Sequence, residues 1–345
     1  MKNFKKNIRK LSKEELQDFF LSNRISSYKG TQVYKWLWEK GVVDFDEMTN
    51  LSLSQRSLLK KEFIINHALI NNKKLSNDGT SKYSVKLYDG LIIESVLIPT
   101  TRRVTACISS QVGCSLDCIF CATSILKRMR NLNSDEIYDQ ILLMNHESLI
   151  SYKRPISNIV FMGMGEPLMN YNNLIKSIEK ISSDKGLNIS QKRIVVSTSG
   201  IPKMIKKLAD ENLKVNLALS LHSAIEETRN KIMPFSTKFS LKDIKDSLNY
   251  WYSKTKRKIT FEYIVWKGIN DNTKDIDSLV SYCKSIPSKV NIIEYNSIGD
   301  EDFKSANDTI IEEYKRALEK NKITVTVRRS RGKDIDAACG QLANK

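Results

Sequence analysis

Between residues 158 and 328 the chain repeatedly switches from short β-branched runs to longer helical patterns. The runs are NIVFM, RIVVSTS, KVNLALSLH, KITFEYIVW, KVNIIEYNS and KITVTVRRS; residues 170–182 and 308–319 are helical stretches between them, and 133–149 is one ahead of the first. Neighbouring strands joined through a helix run parallel, because the crossover returns the chain to the edge it left. The pattern therefore predicts an α/β protein, and about six such units favour a partial (β/α)6, TIM-like barrel over an open doubly wound sheet. Polar or glycine-bearing residues fall just after the strands, at 163–167, 197–200, 220–222, Asn296 and beyond Arg328. In a barrel these positions share one face, where active sites form.

Ahead of the barrel, Ser12 and Glu15 have the spacing of a capping box before Leu16, Phe19 and Phe20. Residues 1–75 read as a small helical accessory domain expected to bind RNA, 76–100 as a strand-rich linker with a turn at Asp89 and Gly90, and 101–345 as the barrel with its cysteine-bearing C-terminal segment. Residues 1–70 hold 13 Lys and Arg against 8 Asp and Glu, with Tyr28, Tyr34, Trp36 and Trp38 interleaved. Aromatics among cations can stack on bases, but helical spacing assigns most of these to the domain's own core.

Over all 345 residues, 56 Lys and Arg stand against 39 Asp and Glu, a formal net charge of +17. Spread along the chain, this excess points to a polyanionic partner, nucleic acid ahead of membrane; lysine enrichment of a whole genome is the competing explanation. The N-terminal stretch MKNFKKNIRKLSKEELQ lacks the apolar segment and cleavage site of a secretory signal. No run reaches the roughly 18 apolar residues of a spanning helix. A cytoplasmic protein without a membrane is expected, and in a reducing compartment clustered cysteines bind metal or do chemistry.

Four of the six cysteines fall in CISSQVGCSLDCIFCAT, residues 107–123. Cys114, Cys118 and Cys121 form C-x3-C-x2-C, which lets one loop wrap three thiolates around a soft-metal centre. Zinc is better served by paired C-x2-C knuckles, and no second pair or suitable His follows. A cubane iron–sulfur cluster normally takes four thiolates, so three would leave one iron open.

This spacing ahead of a (β/α) pattern resembles the radical S-adenosylmethionine (SAM) enzymes. SSQVGCSLDCIFCAT, FMGMGEPLMNYNN, STSG, SLHSAIEETRNKIMP and DIDAACGQL together resemble the bacterial dual-specificity 23S rRNA and tRNA adenine-C2 methyltransferases, from about residue 10 to residue 342. The resemblance implies a radical SAM barrel with one [4Fe-4S] cluster per chain on Cys114, Cys118 and Cys121, whose open iron chelates SAM. It implies Cys339 as the methyl carrier, Cys107 as the second catalytic cysteine, which attacks the carrier sulfur to form a disulfide and free the product, and Glu94 as a proton acceptor. For Glu94, a surface carboxylate on a strand edge is the plain alternative. Gly165, Glu166, Ser197, Ser220, Leu221, His222 and Asn296 match the SAM contacts. Two SAM molecules are consumed, one methylating the cysteine and one generating the radical that activates the methyl. The implied substrates are an adenine in the peptidyl-transferase region of 23S rRNA and the adenine 3′ of the anticodon in tRNAs. An external electron donor such as flavodoxin or ferredoxin, and a monomeric state, complete the expectation.

After FCAT the family often carries a Gly before Arg-Asn-Leu; here SILKRMRNL keeps Arg130, Asn131 and Leu132 without it. Pro167 and Arg329 to Gly332 favour the C2 enzyme over the related C8-adenine 23S rRNA methyltransferases. Arg328, Arg329, Arg331 and Lys333 are candidates to hold RNA phosphates. Cys283 reads as a packing residue. A zinc-stabilised RNA-binding protein without catalysis and a radical SAM enzyme acting on a small molecule remain as alternatives from the residues alone.

Overall fold

The fold is that of a computed structural model describing residues 5–299 and 303–344; the first four residues of the basic N-terminal stretch lie outside the described residues. Ten strands make one sheet. In chain order they are β1 (Leu69–Leu75), β2 (Ser81–Lys86), β3 (Ile92–Pro99), β4 (Val104–Cys107), β5 (Asn158–Phe161), β6 (Ile194–Thr198), β7 (Asn216–Ser220), β8 (Ile259–Ile264), β9 (Ser288–Ile293) and β10 (Thr324–Arg328). Each strand lies beside its neighbours in sequence. From β4 to β10 every pairing is parallel, whereas β1 to β4 are joined antiparallel.

The seven parallel strands are linked by six crossovers, and the six β-branched runs of the sequence are β5 to β10. Their first partner, β4, lies in the stretch that precedes the cysteines. All six residues of β8, ITFEYI, are buried, as expected of a parallel strand covered on both faces. The covering helices are amphipathic: Leu174, Ile175, Ile178 and Ile181 form the buried stripe of the helix Tyr171–Ser182. The helix Ser134–Tyr152 starts where Asn133 and Glu136 exchange side-chain and backbone hydrogen bonds as a capping box.

Residues 76–100 are not a linker between two bodies. They hold β2 and β3, which with β1 extend the barrel sheet through the β3–β4 pairing, and β1 already begins at Leu69. The helical part comprises α1 (Lys13–Ser22), α2 (Tyr28–Trp38) and α3 (Leu53–Glu62), and the Ser12–Glu15 capping box opens α1. It docks on the helices Ser134–Tyr152 and Tyr171–Ser182. Buried Arg9 pairs with buried Asp139, Asn7 Nδ2 donates to Asp135 at 2.9 Å, and Tyr138 Oη donates to the Trp38 carbonyl at 2.5 Å. Lys180 Nζ lies 3.6 Å from the Trp38 ring centroid and donates to Tyr34 Oη at 2.8 Å. The interleaved aromatics thus serve packing, except Tyr28, which is 61% exposed. Among the described residues no helix is long and apolar enough to cross a membrane.

Candidate active site

The C-terminal ends of the parallel strands surround a cavity of about 160 Å³. Cys114, Cys118 and Cys121 line it together with Gly165, Glu166, Ser197, Ser220, His222 and Cys339. The loop carrying the three thiols is held from both sides. Asp117 Oδ1 accepts from the Phe235 N–H at 2.7 Å, and the Cys114 N–H donates to the Leu126 carbonyl at 3.1 Å. Gly113 sits at φ +73°, where an added Cβ would meet the Lys127 carbonyl oxygen at 2.5 Å, so only glycine lets SILKRMRNL close over the loop.

Burial pushes the thiols up, Cys114 to about 11 and Cys118 well above its ordinary value, with the neighbouring cysteines adding to the effect. They stay protonated until a cation arrives, and metal coordination deprotonates a thiol outright. Among the described residues no group of three His, Cys, Asp or Glu side chains could hold a single metal ion. Three thiols lining one cavity suit a cluster whose thiolates attach to different irons.

Glu166 caps the turn after β5: its carboxylate accepts from the Leu168 N–H at 3.0 Å and the Ser199 N–H at 2.8 Å. It is 2% exposed, and burial raises its pKa against those hydrogen bonds. A buried carboxylate lining a cavity is a natural partner for an ammonium group. Gly165, at φ +92°, admits no side chain, since a Cβ would meet Gln111 Cβ at 2.4 Å. His222 is neutral: burial pushes its pKa down to about 3, with Arg229 adding to the effect. Its Nδ1 accepts from the Ile264 N–H at 3.2 Å, which leaves Nε2–H as the ring's donor.

Leu221 and Asn296 do not line this cavity. The Leu221 side chain is fully buried and its carbonyl accepts from Arg229 Nε at 3.2 Å. Asn296 Nδ2 donates to the Cys339 carbonyl at 3.2 Å, and its buried Oδ1 has no hydrogen-bond partner among the described residues.

A second cavity, of about 290 Å³, lies behind the first and is lined by Thr100, Arg103, Cys107, Arg328 and Ser330, among others. The two share Cys121, Thr123, Met162, Gly163, Ile293, Cys339 and Gly340 as walls. Cys339 is crowded by protein, which raises its thiol pKa, yet its surface is open because it faces both cavities. Cys107, at the end of β4, is buried and pushed up to about 12. All six cysteines are free. Cys283 packs in the core.

Glu94 lines neither cavity. It is 1% exposed, so the alternative of a surface carboxylate does not hold; Oε1 lies 3.1 Å from buried Lys82 Nζ, and Oε2 accepts from the Ala343 N–H at 2.9 Å. The basic cluster after β10 is also partly spoken for. Arg331 donates to the Pro99 carbonyl at 2.5 Å and reaches Asp78, Lys333 pairs with Glu294 at 2.6 Å, and Arg329 with Asp308 at 3.0 Å. Among the described residues Arg328 has a 3.8 Å contact with Glu262 as its one ion pair. The pairs of Arg329 and Lys333 are exposed and weak enough for a phosphate to displace; Arg331 is built into the loop.

Sequence reasoning missed Glu262, Arg229 and Thr123. Glu262 is a buried carboxylate lining the first cavity, and its signal was a charge in the middle of the apolar run ITFEYI. Arg229, 1% exposed, ties Ser199 and Leu221 together through their carbonyls. Thr123 Oγ1 donates to the Leu342 carbonyl at 2.6 Å, joining the loop of the three thiols to the C-terminal segment.

Residues 6–65 match the family described as the ribosomal RNA large subunit methyltransferase N-terminal domain, and residues 108–280 match the radical SAM superfamily. The chain is 60% identical to the probable dual-specificity RNA methyltransferase RlmN of Flavobacterium johnsoniae, over 99% of this chain and 98% of that one. It is 41% identical to the protein of the same description from Salinibacter ruber, over 98% and 94% of the two chains. The crystal structure of a radical SAM methyltransferase from Sphaerobacter thermophilus superposes with a TM-score of 0.91 at 31% identity, covering 99% of this chain and all of the other.

Proposed function

The chain belongs to the RlmN family of dual-specificity RNA methyltransferases, within the radical SAM superfamily, and we propose from that premise how its residues divide the work of methylating carbon 2 of adenine. The substrates are an adenine in the peptidyl-transferase region of 23S rRNA and the adenine 3′ of the anticodon in tRNAs. Carbon 2 lies between two ring nitrogens and is electron-poor, so it cannot attack the sulfonium methyl of SAM directly. The [4Fe-4S] cluster, when bound, supplies the electron that cleaves SAM and opens the radical route.

Cys114, Cys118 and Cys121 hold that cluster. Glu166 takes the ammonium of SAM, while Gly165, Ser197, Ser220 and His222 close around the rest; Leu221 and Asn296 stand outside this cavity and support it, Asn296 through its bond to the Cys339 carbonyl. Cys339 loses its thiol proton and takes the sulfonium methyl of the first SAM on sulfur, S-adenosylhomocysteine leaving. Once activated, that carbon bonds to carbon 2, and the sulfur is tethered to the RNA through it. After carbon 2 has given up its hydrogen, the Cys107 thiolate attacks the Cys339 sulfur, forming a disulfide; the S–CH2 bond breaks with its electron pair going to carbon, which takes a proton and leaves as the methyl of the released base. The target adenine must leave its stack to enter the second cavity, where Arg328 can meet a phosphate, while the N-terminal helices grip the surrounding RNA by shape. The enzyme works as a cytoplasmic monomer with an external donor such as flavodoxin or ferredoxin.

One observation carries this assignment: Cys339 stands on the wall shared by the cavity of the three thiols and the cavity of Cys107. A sulfur there can collect a methyl on one side and deliver it on the other. Cys107→Ala should therefore take the methyl, bond to the RNA and stall as a ribonuclease-sensitive adduct through Cys339 on a denaturing gel. Cys339→Ala, and the double variant, should give neither adduct nor product. Normal turnover by Cys107→Ala, or an adduct without Cys339, overturns the assignment.

A further inference from the structure

Large apolar side chains stand in the open beside the loop of the three thiols. Ile119, between Cys118 and Cys121, is 43% exposed, and Met169, in the turn after β5, is 42% exposed. Next to them lies a groove of about 650 Å³, walled by Ser115 and Leu116 of the loop, Met169, Met204 of the helix Pro202–Asp210, and Phe235 and Phe239 beyond β7. The loop is tied to this last stretch twice, by the Phe235 N–H to Asp117 and by the Ile119 N–H, which donates to the Ile232 carbonyl at 3.2 Å. Apolar side chains gathered at a surface mark a place of association.

The groove is one residue away from the metal site. Ser115 follows Cys114, and its Oγ donates to Met169 Sδ at 3.2 Å. Leu116 lines both the groove and the cavity of the three thiols, and its N–H donates to Cys114 Sγ at 3.4 Å. The charge around the groove has one sign. Among the described residues Lys207 and Lys238 line it and no Asp or Glu does. Lys203 lies one helical turn before Lys207 on the same face, and Lys127 and Arg128 are exposed on the strap where Lys127 bridges to Cys114. None of these five cations has an ion pair among the described residues.

The walls of the groove follow β5, β6 and β7, whereas Cys107 at the end of β4, Ile293 on β9 and Arg328 on β10 wall the second cavity, and the two have no lining residue in common. A partner in the groove need not displace an adenine. RNA would use the lysines alone; a carrier of electrons needs them together with an apolar floor and close approach to a cluster ligand. Electron-transfer complexes are small and transient, and complementary charge steers them together.

We propose that this groove is the docking site of an acidic redox protein whose flavin or iron–sulfur centre lies near its surface, and that the electron enters the cluster by way of Leu116 and Cys114. The proposal rests on Cys114, Cys118 and Cys121 holding the [4Fe-4S] cluster. One electron passes: the carrier is oxidised by one unit, the cluster is reduced by one, and no atom changes hands.

The test uses the full-length, reconstituted protein with a bacterial flavodoxin and an acidic ferredoxin as probes. Lys207→Glu with Lys238→Glu reverses the charge of the groove. Lys284→Glu with Lys320→Glu makes the same net change on two helices that do not line it. The readouts are probe binding by calorimetry at two salt concentrations, SAM cleavage driven by the reduced probe or by dithionite, and RNA affinity by gel shift. The groove variant should keep its iron, its dithionite-driven cleavage and its RNA affinity within about twofold. It should bind the probe at least tenfold more weakly, with a flatter salt dependence, and cleave SAM with the reduced probe at least tenfold more slowly. The control variant should match the parent within about twofold throughout. The proposal is overturned if the groove variant keeps both its affinity and its rate with the probe, if the control variant loses as much, or if neither probe binds the parent. It is overturned too if RNA affinity falls instead, which would make the groove an RNA contact. Failure of the cluster reading shows separately, as a parent without iron or dithionite-driven cleavage, and leaves the binding measurement readable.

Discussion

The loop of the three thiols and the segment of Cys339 touch each other, yet they are built on opposite plans. In the loop, Cys114, Cys118 and Cys121 sit within eight positions, and the hydrogen bonds that shape it run largely to near neighbours, as from Ser124 Oγ to the Cys118 and Cys121 carbonyls. The Cys339 segment folds on itself in one turn, where the Gln341 N–H donates to the Ala338 carbonyl at 3.1 Å. Its other partners include Asn296, Ser297, Ala122, Thr123, Glu94 and Ile92, drawn from three distant stretches of chain. A metal site can be written into spacing, whereas a reactive sulfur that must address two cavities is placed by the finished fold. Segments held by a few single bonds open more readily than packed strands, which suits a sulfur that must bond in turn to a methyl, a base and a second cysteine.

The largest effect that bears on this contrast is loss of the metal centre. Cys114→Ala, Cys118→Ala or Cys121→Ala should each reduce iron and sulfide to background after anaerobic reconstitution, since two thiolates do not retain a cubane that already lacks a fourth. Cys339→Ala should keep full iron, although its residue lines the same cavity. If any of the three loop variants held normal iron and cleaved SAM, the loop would not be the metal site. If Cys339→Ala lost its iron, the two regions would be one site rather than two.

The same contrast explains what the sequence could disclose. Strand runs β5 to β10 and the start of the helix at Asn133 were legible because period and capping are local. That β1 to β3 join the barrel sheet was not, because alternation marks a strand without naming its partner. That Gly165 and Glu166 fall in a polar stretch after a strand could be read from the pattern, whereas their part in holding SAM came through resemblance. The Lys82–Glu94 pair was hidden for a physical reason: on alternating strands a charged residue reads as the solvent face, and here the C-terminal segment covers that face. Glu262 and Arg229 were hidden because a single charge within an apolar or helical run has no spacing to read. Cys107 and Cys339 were reached through resemblance alone, since nothing local pairs them.

A smaller effect follows where the two regions meet. Thr123→Val keeps the shape of the side chain and removes the donor to the Leu342 carbonyl, at a cost of about 1 kcal/mol. That corresponds to roughly fivefold faster opening of the Cys339 segment by hydrogen exchange, with iron content unchanged. An equal rise in exchange across residues 107–121 would mean that loop and segment open together, and the contrast between them would fail.

The smallest effect lies one step further out, where Asp78 in the turn between β1 and β2 holds the loop that leads to Cys339. Burial alone would raise its pKa, but hydrogen bonds from Thr80 and from the Gly332 N–H, with Arg331 close by, bring it down to about 2. The bonds from the Thr80 and Gly332 N–H groups are 2.8 and 2.9 Å long. A carboxyl depressed in the folded state binds its proton more weakly there than in the unfolded chain. Its contribution is therefore complete above the unfolded value of about 3.9 and is lost as pH falls from there toward 2. Solvent reaches this carboxylate, so the contribution is modest. Asp78→Asn should be somewhat less stable than the parent at neutral pH, with faster exchange in residues 331–337, and the gap should close as pH falls from 4 to 2. A gap that persists at pH 2 would mean that shape, not charge, holds this turn against the loop, and the chain of ionic contacts would then end at Glu94.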